Sequence, residues 1–198
     1  ERGVPRYMRD CPEAEELNGR DEFVNASFTA RGSGRALGNR AADVSTGIAD
    51  MRNPVFTLQT QRIGPLDQVL EYVNSAPLIA RHLGPQFAEL SAPFGTGEVS
   101  VDLALPLKNL PAYELSASLN IIDGELGFAT LAPRASEING TLSLRDGQVS
   151  GSGIEAIFLD GPVTARVDDP GVEGYRARIN LEGEVTIDAV GETFNLPR

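Results

Sequence analysis

Apolar and polar positions alternate with period two along most of this chain. Val99, Val101, Leu103 and Leu105 take one parity against Ser100, Asp102 and Ala104, and Leu115, Ala117, Leu119 and Ile121 follow against Ser116, Ser118 and Asn120. In "INGTLSLRDGQVSGSGI" (138–154), Ile138, Leu142 and Leu144 share a parity with Gly140 between them, and Val149 resumes it after Asp146-Gly147. Such alternation predicts strands that bury one face. Shorter runs read the same way: Phe28 and Ala30; Val44, Thr46 and Ile48; Phe56 and Leu58; Leu126 and Phe128; Ile154, Ala156 and Phe158; Val163, Ala165 and Val167; and 175–187. Asp-Gly pairs at 123–124, 146–147 and 160–161 are hairpin signals, so the pattern predicts an antiparallel meander of about eight to ten strands.

One stretch breaks the rhythm. In "GPLDQVLEYVNSAPLIARHLG" (64–84), Leu66, Val69, Leu70 and Val73 stand at i, i+3, i+4 and i+7, the stripe of an amphipathic helix. Pro65 suits its first turn and Asp67 the positive end of its dipole. A second short helix is expected over 77–83, with Ser75 before it and Gly84 past its end. The chain therefore reads as one segment, 1–198, with a first β block at 20–62, a helical insert at 65–91 and a second β block at 94–190. A weak repeat links "LNIIDGELGF" (119–128) to "LSLRDGQVSG" (142–151), and stacked β units of that kind build elongated arrays.

Composition narrows the function. Apolar residues make up 41% of the 198, enough for a core, and no run approaches the length that spans a bilayer. Net charge is −11, and residues 1–40 balance seven Arg against seven acidic residues, so the excess lies in 41–198. An acidic surface argues against nucleic acid and against electrostatic adsorption to anionic lipid. The single Cys11 makes no internal disulfide, and the opening at Glu1, without an initiator Met, reads as part of something longer.

The chain is poor in reactive groups. His82, the one histidine, falls on the second expected helix, and no zinc set of ordinary spacing includes it. No nucleophile elbow, P-loop or dinucleotide fingerprint occurs. "RGSGRALG" (31–38) is glycine-rich and reads as a loop. "VDDPGVEG" (167–174) reads as a solvated acidic turn in preference to a weak Ca²⁺ site. The sequons at Asn25 and Asn139 read as chance. No catalysis, metal or cofactor is expected.

Several motifs in order resemble a known family. "GPLDQVLEYVNSAPL" (64–78) precedes "GEVSVDLALPLKNL" (97–110), "LNIIDGELGF" and "INGTLSLRDGQVSGSGIEAIFLDGPV" (138–163). A helix ending in Ser-Ala-Pro-Leu, a strand closing on Leu-Pro-Leu, a Gly-x-Leu strand and a strand ending in Leu-x-Gly-Pro together resemble the YhdP family of AsmA-like proteins. The likeness is specific from about 40 to 167, with Cys11 where the family pattern has an aromatic residue.

The resemblance implies a periplasmic segment of an inner-membrane-anchored protein in Gram-negative bacteria. It implies a β-sheet curled into an open hydrophobic groove or half-barrel that passes phospholipid acyl chains toward the outer membrane and supports its barrier. The groove-lining candidates are then Val99, Val101, Leu103, Leu105, Leu115, Leu119, Ile121, Leu126, Phe128, Ile138, Leu142, Leu144, Ile154 and Phe158. Leu66, Val69, Leu70 and Val73 would face the groove from the helix. The small residues Ala117, Gly140, Ala156, Ala165 and Ala177 would leave room for cargo. Expected partners are phospholipid or another acyl lipid and neighbouring segments of the same chain. Self-association is also expected, through the edge at 177–187. Periodicity alone favours a closed β-sandwich or barrel over an open groove, and a sandwich would be an adhesion or scaffold module that binds protein, with a dry core.

Overall fold

The computed structural model describes residues 14–36, 39–75, 90–109, 112–128, 131–145, 147–169 and 177–185. Four strands open the chain: β1 (Ala14–Val24), β2 (Ser27–Ala36), β3 (Asn39–Ile48) and β4 (Val55–Pro65). Helix α1 (Leu66–Ser75) interrupts them. Six more follow: β5 (Leu90–Pro106), β6 (Glu114–Phe128), β7 (Leu131–Arg145), β8 (Gln148–Phe158), β9 (Gly161–Asp168) and β10 (Arg178–Gly183). All ten form one antiparallel sheet in sequence order, β1 to β10, which is not closed into a barrel. The mainly β meander is as expected. The second helix expected over 77–83 lies outside the described residues.

Turn chemistry sets the meander. Between β8 and β9, Leu159 and Asp160 take φ of 52° and 59°, and Phe158 pairs with Gly161 across them. Two left-handed residues match the twist of the strands they join. Between β7 and β8 the chain also reverses, with Arg145 paired to Gln148.

The third Asp-Gly pair is not a hairpin. β6 runs straight through Asp123-Gly124, with Asp123 at φ 49° and the β6–β7 register slipping between Ile121 and Gly124. Ile122 and Asp123 are both exposed, while Gly124 and Leu126 are buried. The extra residue restores the phase that Leu126 needs, because a bulge sets two residues opposite one. Asn139 Oδ1 accepts the Asp123 amide at 3.1 Å and holds the kink. The likeness between 119–128 and 142–151 is therefore no structural repeat, since the same dipeptide lies mid-strand in one and at a turn in the other.

Bulges recur across the sheet. Ala92 and Gly95 in β5, Asp123 in β6, Glu137 in β7 and Gly153 in β8 all have positive φ, and the register shifts beside each. Shifts also separate β1 from β2, β2 from β3 and β3 from β4. Between β4 and β5 the register is unbroken from Val55↔Pro106 to Pro65↔Thr96, a straight spine. Bulged strands bend and twist more strongly than regular ones, so the sheet bends on both sides of this spine.

Two boundaries differ from the sequence reading. The expected loop at 31–38 is largely strand, since β2 extends to Ala36. A Cβ on Gly32 would meet the Asn18 carbonyl oxygen at 2.5 Å, so glycine is there for a close cross-strand approach. β1 begins at Ala14, six residues before the expected start at 20. Its inward positions Gly19 and Asp21 carry no apolar signal, which hid it.

Candidate functional site

Cross-strand register places the apolar parities of all the strands on one side of the sheet. Row by row, Phe23, Phe28, Ile48, Phe56 and Leu105 align across β1–β5. Ala30, Thr46, Leu58, Leu103 and Leu115 form the next row. Val44, Thr60, Val101, Ala117, Leu144 and Val149 come third. Arg62, Val99, Leu119, Leu142, Gly151, Val167 and Ile179 form the fourth. One face thus runs unbroken from β1 to β10.

Its depth is uneven. Val99, Val101, Leu115, Leu119, Ile121, Leu126, Ile138, Leu144 and Ile154 are buried and pack with Val149, Ala165 and Val167 into one cluster. Leu103, Leu105, Leu142 and Phe158 are half-buried. The side chains of Phe128 and Val73 lie outside the described residues, although the Phe128 backbone pairs with Leu90 and Leu131. Most of the residues proposed as lining are therefore brought together, but as a packed group with little surface left over. Phe28, Val44, Ile48, Phe56 and Leu58, on β2–β4, share the same face and remain half-buried. They were legible as strand residues, yet the sequence reading did not single them out as lining, because their runs are short and mixed with Thr.

Helix α1 covers one end of this face. Leu66 and Val69 are fully buried and Leu70 nearly so. Gly97 makes the seat: a Cβ there would lie 3.1 Å from Leu66 Cδ1 and 3.3 Å from Val69 Cβ. Beside α1, Arg62 is only 3% exposed on the inward parity, and its guanidinium is not without a partner. Gly140 was expected to leave space for cargo. Instead a Cβ there would meet Ile154 Cγ1 at 2.8 Å, so its small size admits Ile154.

The other face is polar. Gln59 Nε2 donates to Asp102 Oδ1 at 2.8 Å, Gln61 to Glu98, and Thr141 to Asn120. Two hollows of about 390 and 790 Å³ are lined mainly by residues of this face, among them Gln59, Asp102, Arg145, Arg20 and Arg31. Among the described residues no group of His, Cys, Asp and Glu is placed to hold a metal, and no helix is long and apolar enough to cross a membrane.

A family model described as YhdP protein matches residues 1–198. The chain belongs to the YhdP family. The match takes in the first forty residues, where the motif reading was least specific, together with the helix and every described strand. No curated protein and no solved structure matches the chain.

Proposed function

We propose that this segment of a YhdP-family protein holds phospholipid acyl chains against its apolar face and passes them along a longer periplasmic bridge toward the outer membrane. One observation carries the reading. A single apolar face runs across ten strands, with no second sheet among the described residues and only α1 seated on one end of it. Membership of the YhdP family, AsmA-like and linked to lipid transport, points the same way.

The physical task is to keep a tail out of water. A tail of about fifteen methylenes loses roughly 12 kcal/mol on leaving a bilayer for water, at about 0.8 kcal/mol per CH₂. Side chains of Phe, Leu, Ile and Val recover most of that without hydrogen bonds, and they set no deep minimum in which cargo would stall. Strands lie about 4.8 Å apart, so a roughly 20 Å tail crosses about four of them. The half-buried rows of β2–β5 match that span: Phe28, Ile48, Phe56 and Leu105, and beside them Leu58 and Leu103. Contact there needs no disruption of the packed cluster in β5–β9, which instead acts as the wall that fixes the sheet. The polar face, with its Gln–carboxylate hydrogen bonds, stays in water.

The test is native mass spectrometry of the purified segment, followed by liposome-to-liposome transfer. Co-purified phospholipid that is lost in Leu58→Ser/Leu103→Ser, with the fold intact by circular dichroism, supports the reading. A lipid-free protein that accelerates no transfer overturns it.

A further inference from the structure

We infer that the hairpin ends of β1–β2, β3–β4 and β5–β6 form an apolar lip that docks on a lipid bilayer surface, at the point where chains reach the face. The inference rests on the acyl-chain reading above.

The three ends form one platform. The Met51 amide donates to the Ala26 carbonyl at 2.6 Å and the Leu107 amide to the Pro54 carbonyl at 2.9 Å, while Lys108 Nζ donates to the Arg52 carbonyl. The first two turns are also tied internally, by Ser27 Oγ to the Val24 carbonyl and by Asp50 to the Arg52 amide and guanidinium, and the Asn109 amide donates to the Pro106 carbonyl at 3.2 Å where β5 ends. On this pinned platform stand Phe23 at 74% exposure, Val24 at 47%, Met51 at 44% and Leu107 at 40%. Large apolar groups held in water by ordered turns mark an interaction surface.

Charge and continuity select the occupant. In the lip, Glu22, Asp50 and Glu114 face Arg52 and Lys108, an excess of one negative charge, within a chain of net charge −11. Around α1 and the bulges, Asp67, Glu71, Asp123, Glu125, Glu137 and Glu155 outnumber Arg62 and Arg134. A membrane surface therefore meets least repulsion at the lip. Phe23 stacks on Phe28 with ring centroids 4.7 Å apart, and Phe28 opens the row to Ile48, Phe56 and Leu105. The surface that dips into the bilayer is thus continuous with the surface that holds the tail.

Flotation of the purified segment with phosphatidylcholine vesicles tests this, alongside uptake of a fluorescent fatty acid in vesicle-free buffer. The wild type floats; Val24→Ser/Met51→Ser/Leu107→Ser, which spares the Phe23 that opens the tail-holding row, stays at the bottom, yet takes up fatty acid and keeps its circular dichroism. Ile63→Ser/Phe94→Ser, which removes exposed apolar groups elsewhere, floats as the wild type does. Replacing part of the phosphatidylcholine with phosphatidylglycerol weakens flotation at low ionic strength, and salt restores it. A lip variant that still floats, or a wild type that never floats but captures a protein through the lip, overturns the inference. Uptake without flotation sinks the docking alone, whereas flotation without uptake sinks the acyl-chain reading.

Discussion

β5–β9 and β1–β4 carry the same alternation on the same face, yet only the first region makes a core. Fifteen buried apolar residues form the cluster, and every one lies on α1 or β5–β9. In β1–β4 the described inward residues are half-buried at best, apart from Arg62. Side-chain polarity accounts for part of the difference. In the aligned rows β5–β9 contribute only Val, Leu, Ala and Gly, whereas β3 and β4 set Thr46, Thr60 and Arg62 among their Val, Ile, Phe and Leu. Cover accounts for the rest: among the described residues α1 seats on β4 and β5 at the Arg62–Gly97 end and leaves the Phe28–Leu105 row uncovered. A β-sheet can thus share one register and still divide into a packed wall and a shallower apolar floor.

Substitutions sharpen that division. Leu119→Ala and Leu144→Ala, in the wall, are expected to lower stability by about 2–5 kcal/mol, and Leu58→Ala in the floor by about 1 kcal/mol, read by urea denaturation. Equal costs would mean that the floor is core as well. Gly97→Leu should come next. Its side chain cannot fit under Leu66 and Val69, so α1 is displaced and about 1–3 kcal/mol is lost, with faster amide exchange through 66–71 and little change in β7–β9. Uniform exchange across the chain would show that α1 does not seat independently of the wall.

The edges of the two regions also differ in what they leave open. β10 pairs only with β9 among the described strands, and Ile179 and Leu181 are half exposed. Edge pairing through 178–183 should produce concentration-dependent dimers, and Leu181→Pro, which removes a ladder donor, should abolish them at small cost to stability. A strict monomer at high concentration would mean that this edge is already satisfied.

The smallest effect lies in the lip. The Arg52 guanidinium and amide hold the Asp50 carboxyl below its ordinary range, with Lys108 adding a weaker pull. A depressed carboxylate contributes stability above its unfolded pKa and loses it as pH falls through the folded value. Arg52→Ala should therefore move the Asp50 titration, followed by NMR, back up toward the ordinary value, with hardly any change in stability because the pair lies open to solvent screening at the surface. An unmoved titration would put the cause elsewhere.

Much of this architecture was legible from residue parity alone. Alternation gave the strands, their common face and their sequential order, because a slip of one residue would turn each apolar set to water. The stripe of Leu66, Val69 and Leu70 gave α1. Asp123-Gly124 reads as a turn because the same dipeptide serves a turn or a bulge, and only the phase of Leu126 against Ile121 distinguishes them. β1 escaped notice because Gly19 and Asp21 stand where an apolar signal was sought. The lining candidates were found as a face but not by depth: Val99 and Leu103 have the same parity and chemistry, and only the position of α1 and the neighbouring rows buries one more than the other.

Native mass spectrometry of the purified segment tests the central claim most directly. The account expects a phospholipid adduct on the wild type, retained in Phe94→Ser and lost in Phe56→Ser/Leu103→Ser. A wild-type protein that carries no lipid after purification from membranes, and takes up none from vesicles, would contradict it.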